Sequence, residues 1–485
     1  MTSPLAVIAL VGRMVVLFAL LMIVPLAFAV DRHDAAEQAF LVSIAITLGA
    51  GGLMSLAMRR FRRELQPRDG FVLVGLTWLV LPAFGALPLL LAIPGLSVTD
   101  AYFEAMSGFS ATGATVLTGL DQLPLSVNVW RCFLQLVGGL GIIVLAVAIL
   151  PLLGVGGAQL FKAEAAGPMK DAKLTPRIAE TARGLWVVYF AFSLACMLAY
   201  RWAGMSWADA FMHMCTTMGL GGFSSHDASF GYWDSPKIEA VATVFMVLAG
   251  VSFMRYFIVL RQRSLRPLTN DREIRTYVSV LVVSVMLVAV LLSAHGVIDD
   301  FPEALRTSAF HVVSLATTTG YASTDYAQWP VFAPVLLMFL GCFVSCAGST
   351  GGGIKLVRMV LLIKQARREL VRIVHPRVVN PVTLGGAIMP PAVMTAVLGY
   401  MLIYGAATMG LTMLMLFTGL DIVSSFSAVV ATVNNIGPGL GLVGPSSNFG
   451  VLNDFQIWVL TFAMLLGRLE LLTVLVLFTG HFWRK

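Results

Sequence analysis

The chain has 485 residues, of which 58% are hydrophobic and only 12% charged, about half the charged share of a soluble globular protein. This excludes a soluble globular domain and marks a polytopic membrane protein. The formal charge of +7 does not point to nucleic acid, because Lys and Arg recur in loops between apolar segments and are not gathered on one soluble module.

A bilayer core of ~30 Å takes roughly 20 apolar residues per helix. Segments of that length lie near 5–30, 37–58, 70–95, 127–152, 184–203, 236–260, 276–296, 330–358, 386–418 and 455–481, ten spans in all. Arg13, the apolar run 14–26 and the small residues around Ala27 and Ala29 also have the form of a signal peptide. The run 4–30 is long enough to span, so an uncleaved helix is the preferred reading. Four shorter segments, near 99–110, 206–218, 303–316 and 423–433, have the length of a re-entrant half-helix and not of a crossing. The predicted organisation is an N-terminal two-helix domain, 1–68, then four units of span, hairpin and span: 69–183, 184–275, 276–385 and 386–485.

Charge gives orientation. Arg59, Arg60, Arg62, Arg63 and Arg68 follow the second span, and Lys162, Lys170, Lys173, Arg177 and Arg183 the fourth. Arg261, Arg263, Arg266, Arg272 and Arg275 follow the sixth, and Lys364, Arg367, Arg368, Arg372 and Arg377 the eighth. By the positive-inside rule these loops and both termini are cytoplasmic, and every half-helix starts at the outer face. The opposite loops carry Asp31, Asp34, Asp100, Glu104, Asp121, Asp227, Asp234, Asp299, Asp300, Asp325, Asp421 and Asp454. Each alone is ordinary loop chemistry, but their one-sidedness favours cations at the outer mouth. The five cysteines all lie in apolar stretches and read as packing residues.

Each half-helix runs into a glycine flanked by small residues. The hairpins are 110–115 (SATGAT), 219–224 (GLGGFS), 317–322 (TTTGYA) and 434–439 (NNIGPG), with Gly113, Gly222, Gly320 and Gly437 recurring at intervals of about a hundred residues. Aiming consecutive carbonyls into a narrow axis requires positive φ, which glycine adopts without strain. Rings of such carbonyls replace the water shell of a potassium ion, and the half-helices direct the negative ends of their dipoles towards the same place. The expected ion-binding residues are Ala111, Thr112 and Gly113; Leu220, Gly221 and Gly222; Thr318, Thr319 and Gly320; and Asn435, Ile436 and Gly437. The register of the second hairpin, which offers glycines at 219, 221 and 222, and of the fourth, which offers 437 and 439, stays open.

The stretches 104–109 (EAMSGF), 221–229 (GGFSSHDAS), 347–353 (AGSTGGG) and 434–441 (NNIGPGLG) resemble the signature segments of TrkH-type potassium uptake proteins of the Trk/Ktr/HKT superfamily, and the similarity covers essentially the whole chain. The resemblance implies an all-α fold of ten transmembrane helices, an N-terminal pair plus four M1–P–M2 repeats around one pseudo-fourfold pore. It implies a homodimer in the bacterial inner membrane and potassium uptake governed by a cytosolic, nucleotide-binding TrkA-type partner. It implies K+ as the transported ion, no tightly bound cofactor, no enzyme activity and no nucleic-acid partner. The family's marker for potassium preference, glycine in the first loop, is present as Gly113. None of the hairpins is the TVGYG of ordinary potassium channels, so selectivity over sodium is expected to be looser.

Gly348, Ser349, Thr350, Gly351, Gly352 and Gly353 interrupt the eighth span, where each glycine costs roughly 1 kcal/mol of helix relative to alanine. A loop at membrane depth, just beneath the hairpins, is expected. A phosphate-binding reading fails because Ile354 separates the last glycine from Lys355 and the flanks are apolar. Arg468 lies in the last span, where a buried cation must find a partner; the resemblance implies that it contacts the glycine-rich loop and helps close the pathway. Glu470 is too far around a continuous helix to pair with it. His213 and His311 read as hydrogen-bonded packing residues, and the glycines at 138, 139 and 141 as a close helix contact. The basic inner loops suit membrane lipid. The rival readings are a less selective K+/Na+ permeation protein, a potassium symporter coupled to protons or sodium and, more remotely, a membrane-embedded enzyme.

Overall fold

The computed structural model describes residues 5–58, 67–144, 174–385 and 387–484. Among them the protein is an all-α membrane protein; its one sheet is a two-stranded hairpin pairing Thr383–Leu384 with Ala387–Ile388. Among the described residues six helices are long and apolar enough to cross a bilayer, or eight if each of two bent pairs counts as one span. The two further segments expected to span are the helix from Leu125, described as far as Val144, and the pair Phe332–Phe343 and Leu356–Val374 on either side of the glycine-rich interruption. Arg59, Arg60, Arg62, Arg63, Lys162, Lys170 and Lys173 lie outside the described residues.

The four half-helices are Val98–Phe109, Trp207–Gly219, Phe301–Ala316 and Ile422–Val433, within two residues of the expected bounds. All begin alike. Ser97, Ser206, Asp300 and Asp421 are N-caps whose side chains accept the backbone N–H three residues on, from Asp100, Asp209, Glu303 and Ser424. Each such cap stabilises its helix by about 1 kcal/mol and fixes where it starts.

Two spans expected to be continuous are not. The sixth breaks between Pro236–Ala249 and Phe253–Gln262 with a bend of 81°, and the tenth between Asp454–Arg468 and Leu471–Phe478 with a bend of 111°. At the first break Gly250 leaves room for the Tyr277 hydroxyl, which a Cβ there would strike, and at the second Glu470 takes φ 56°, which a right-handed helix does not admit. The N-terminal pair crosses at Gly12 and Gly51, where each glycine lies against the other helix's backbone too closely for a Cβ.

Candidate permeation site

Each half-helix ends in the same turn. The N–H groups of Thr112, Gly221, Thr319 and Ile436 donate to the carbonyls five residues back, those of Ser107, Thr216, Ser314 and Ala431, at 2.8–2.9 Å. The residue before each donor is left-handed: Ala111 (φ 50°), Leu220 (50°), Thr318 (63°) and Asn435 (53°). This is the Schellman ending of a helix, here on four non-glycine residues, a conformation that costs such residues roughly 1–2 kcal/mol. Two residues on, Gly113, Gly222, Gly320 and Gly437 have φ of 85°, 78°, 85° and 102°. The paired positive φ makes Gly222 and Gly437 the structural counterparts of Gly113 and Gly320.

Tertiary packing joins these turns into a ring. A Cβ on Gly113 would overlap the carbonyl oxygen of Gly221; one on Gly222, that of Thr319; one on Gly320, that of Ile436. On Gly437 it would lie 2.8 Å from the carbonyl oxygen of Thr112, which returns the sequence to its start. Each hairpin's glycine thus faces the carbonyl that precedes the next hairpin's glycine, through four steps. Gly113, Gly222, Gly320 and Pro438 together floor a vestibule walled by the outer loops.

The outgoing arm of each hairpin is held by its own half-helix. Glu104 Oε2 accepts the Val116 N–H at 3.1 Å, His311 Nε2 that of Ser323 at 3.2 Å, and Ser427 Oγ that of Leu440 at 2.9 Å. In the second repeat His213 Nε2 lies 3.0 Å from Ser224 Oγ. Both histidines are hydrogen-bonded packing residues, as the sequence suggests, and they brace hairpins as well. Glu104 pairs with Arg131 at 2.7 Å, both side chains 0–1% exposed, and Arg131 also donates to Thr115 Oγ1 and to the Ser224 carbonyl, linking the first hairpin to the second. Removing one partner of a buried pair leaves a bare charge and costs about 3–5 kcal/mol. Glu104→Ala is therefore expected to lower the stability of the detergent-solubilised protein by that amount in thermal unfolding. A loss of ~1 kcal/mol or less, the scale of a surface pair, would show that the hairpins stand without it.

Many outer carboxylates are engaged in local structure. Besides the caps, Asp34 accepts the Ala36 and Ser126 N–H groups and Asp227 that of Leu120. Asp121 is bound to His226 Nδ1, whose Nε2 lies 3.4 Å from Asp209 Oδ1 and whose ring stacks on Tyr232 with centroids 3.5 Å apart. Burial pulls the His226 pKa down, but Asp209 and Asp121 outweigh it and hold it above the ordinary value. A raised folded-state pKa means the link contributes fully below the unfolded value near 6.5 and is lost as pH rises through the folded one. The stability gap between wild type and His226→Gln should therefore close on the alkaline side. A gap unchanged from about pH 5 to 9 would remove the ionic link.

The segment 347–353 lies beneath the ring, against the ends of the half-helices. Gly352 N–H donates to Thr318 Oγ1 at 2.8 Å and Thr350 Oγ1 to the Met218 carbonyl at 3.0 Å, while a Cβ on Gly352 would overlap the Asn434 carbonyl. Arg468, 3% exposed, donates to the Thr350 carbonyl at 2.8 Å and to the Gly138 carbonyl at 3.1 Å. A Cβ on Gly138 would in turn overlap the Phe109 carbonyl and one on Gly139 would press on Gly219, so these two serve close approach, whereas a Cβ on Gly141 would make only an ordinary contact with Trp78. Lys355 folds back onto the Gly351 carbonyl, which leaves no phosphate cradle. The loop is tied at its start to the bent sixth span, Phe253 N–H to the Gly348 carbonyl at 3.1 Å, and to Glu273, which accepts the Ala347 N–H at 2.9 Å.

The separation of Arg468 from Glu470 has a different origin from the expected one. The helix ends at Arg468, and Glu470, past the break, pairs with Arg358 at 2.7 Å. Sequence reasoning missed Gln135 and Arg131 as partners of the hairpins, Glu273 as a partner of the loop and Arg358 as the partner of Glu470. The available signal was a polar or charged residue within an apolar helix, as at Gln135 and Arg131.

Four equivalent re-entrant hairpins closing one carbonyl ring within apolar helices define a polytopic membrane protein of the pore-loop class. The chain belongs to the TrkH family, "Cation transport protein", which matches residues 36–485. It is 44% identical over 481 residues to the Trk system potassium uptake protein TrkH of Salmonella typhimurium and likewise to that of Escherichia coli K12, covering 99% of each chain. The Escherichia coli K12 protein TrkG is 38% identical over 475 residues, covering 98% of this chain and 97% of its own. The crystal structure of the potassium transporter TrkH from Vibrio parahaemolyticus superposes with a TM-score of 0.92 at 41% identity, covering 100% of both chains.

Proposed function

We propose that this protein carries potassium into a bacterial cell across the inner membrane through the glycine ring. The observation that carries this reading is the ring's closed order, in which the glycine of each repeat meets the carbonyl of the next. The carbonyls of Ala111 to Gly113, and of their counterparts in the other three repeats, coordinate the ion in place of water. The half-helices end at the ring and aim their negative dipole ends below it. The loop from Gly348 to Gly353, with Arg468 bound to it, closes the path on the inner side.

In this reading residues 1–68 form an added helix pair, and 69–183, 184–275, 276–385 and 386–485 are M1–P–M2 repeats that complete ten crossings. The side bearing Arg261 to Arg275 and Lys364 to Arg377 faces the cytoplasm, with both termini. There a TrkA-type nucleotide-binding partner acts on a homodimer, and basic side chains meet anionic lipid; family membership supports both partners. The test is ion uptake by purified protein in liposomes, with potassium and rubidium accumulated in preference to sodium. Equal entry of all three ions would overturn the potassium reading.

A further inference from the structure

Gln135 is fully buried in the apolar helix Leu125–Val144, and its amide reaches into the second hairpin. Nε2 donates to the Gly221 carbonyl at 2.8 Å, and Oε1 accepts the Phe223 N–H at 3.1 Å. A backbone N–H only donates and a carbonyl only accepts, so the two contacts together fix which end of the amide is oxygen. Glycine makes the room: a Cβ on Gly221 would overlap the Gln135 amide, and one on Gly219 would press on the Gln135 backbone carbonyl. Two of the three glycines in this hairpin are thus spatial requirements of Gln135 and its helix, and only Gly222 serves the turn.

The Gly221 oxygen is the one that faces Gly113 in the ring. At the same level Thr112, Thr319 and Ile436 present carbonyls with no side-chain donor among the described residues, so one quarter of the ring is chemically unlike the rest. That quarter is also built on the most deformable backbone of the four, with glycine at 219, 221 and 222. Selectivity in a carbonyl filter depends on the field strength of its oxygens and on how far they can contract around a smaller ion.

We propose that Gln135 is a specificity-determining residue. By donating to the Gly221 oxygen and holding Phe223 N–H, it sets that oxygen's position, draws off part of its charge, and keeps the second hairpin from closing around sodium. The inference rests on the reading of the ring as the ion filter. Its test therefore carries a control on the ring itself: wild type, Gln135→Leu, Gln135→Glu and Gly222→Ala, each purified at full length and reconstituted, with potassium, rubidium and sodium uptake and reversal potentials measured.

Gln135→Leu removes both hydrogen bonds, whereas Gln135→Glu keeps the acceptor for Phe223 and loses the donor to Gly221. In both, the potassium-over-sodium preference is expected to fall roughly tenfold, the scale of one buried hydrogen bond, with potassium entry still measurable. Acidification, which returns a donor proton to the introduced carboxyl, should restore the preference in Gln135→Glu but not in Gln135→Leu. If Gln135→Leu fails to fold, the Glu variant carries the comparison. An unchanged ion preference in Gln135→Glu beside an altered one in Gly222→Ala overturns the role of Gln135 and leaves the filter standing. Unchanged preference in both overturns the filter reading and this inference with it.

Discussion

Arg468→Ala should raise the basal potassium flux of the reconstituted protein by more than tenfold. The guanidinium is buried and bonded to two backbone carbonyls, Thr350 in the intramembrane loop and Gly138 in the first repeat. It thereby links the loop to elements more than two hundred residues away in the chain. Hydrogen bonds from a charged donor contribute about 1.5–3 kcal/mol each, and their loss falls on the closed arrangement. A tenfold shift takes only about 1.4 kcal/mol. Charge acts in the same direction. Arg468 holds its positive charge on the Thr350 and Gly138 carbonyls beneath the ring, where on the proposed reading it opposes an entering cation. Alanine removes that charge. A lysine at this position restores charge but not the paired donors, so Arg468→Lys should fall between wild type and alanine. Equal flux in all three proteins would deny Arg468 any part in closure.

Gly113→Ser is expected to weaken discrimination against sodium by tenfold or more while leaving a conducting protein. Two effects coincide at this position. A φ of 85° is costly for serine, by roughly 1–2 kcal/mol, and the new Cβ would overlap the Gly221 carbonyl oxygen. The backbone must give way, and what moves is a ring oxygen of the neighbouring hairpin. The measurement is the relative permeability of potassium, rubidium and sodium in liposomes. An unaltered ion order would count against the first hairpin as part of the filter. The same steric argument applies at Gly222 and Gly320, where a Cβ would overlap the Thr319 and Ile436 carbonyls. At Gly437 the nearest carbonyl lies at 2.8 Å, so an alanine there should be the mildest of the four.

The four half-helices were legible in the sequence because everything that makes them is local. Length separates a dozen-residue segment from a crossing, and a glycine follows each end. The break in the eighth span was legible for the same reason, since its glycines disfavour helix wherever they lie. The bends at Gly250 and Glu470 were not. At the first, the Tyr277 hydroxyl of another helix lies where a Cβ of Gly250 would be, and the second is a left-handed glutamate whose partner, Arg358, is 112 residues away. The outer aspartates read as a field for cations, and many of them also serve as caps and backbone acceptors, roles that keep the charge and so leave that reading untouched.

Composition, the lengths of the apolar segments and glycine placement sufficed to determine a polytopic helical protein with a fourfold repeat of re-entrant turns, since those properties depend on neighbours in the chain. Which glycine of the second hairpin carries the turn, which carbonyl each glycine faces, and where Arg468 finds its two acceptors were decided by tertiary structure alone. Each of these depends on van der Waals exclusion and hydrogen-bond pairing between segments more than eighty residues apart, and only the packed helices bring those atoms within reach.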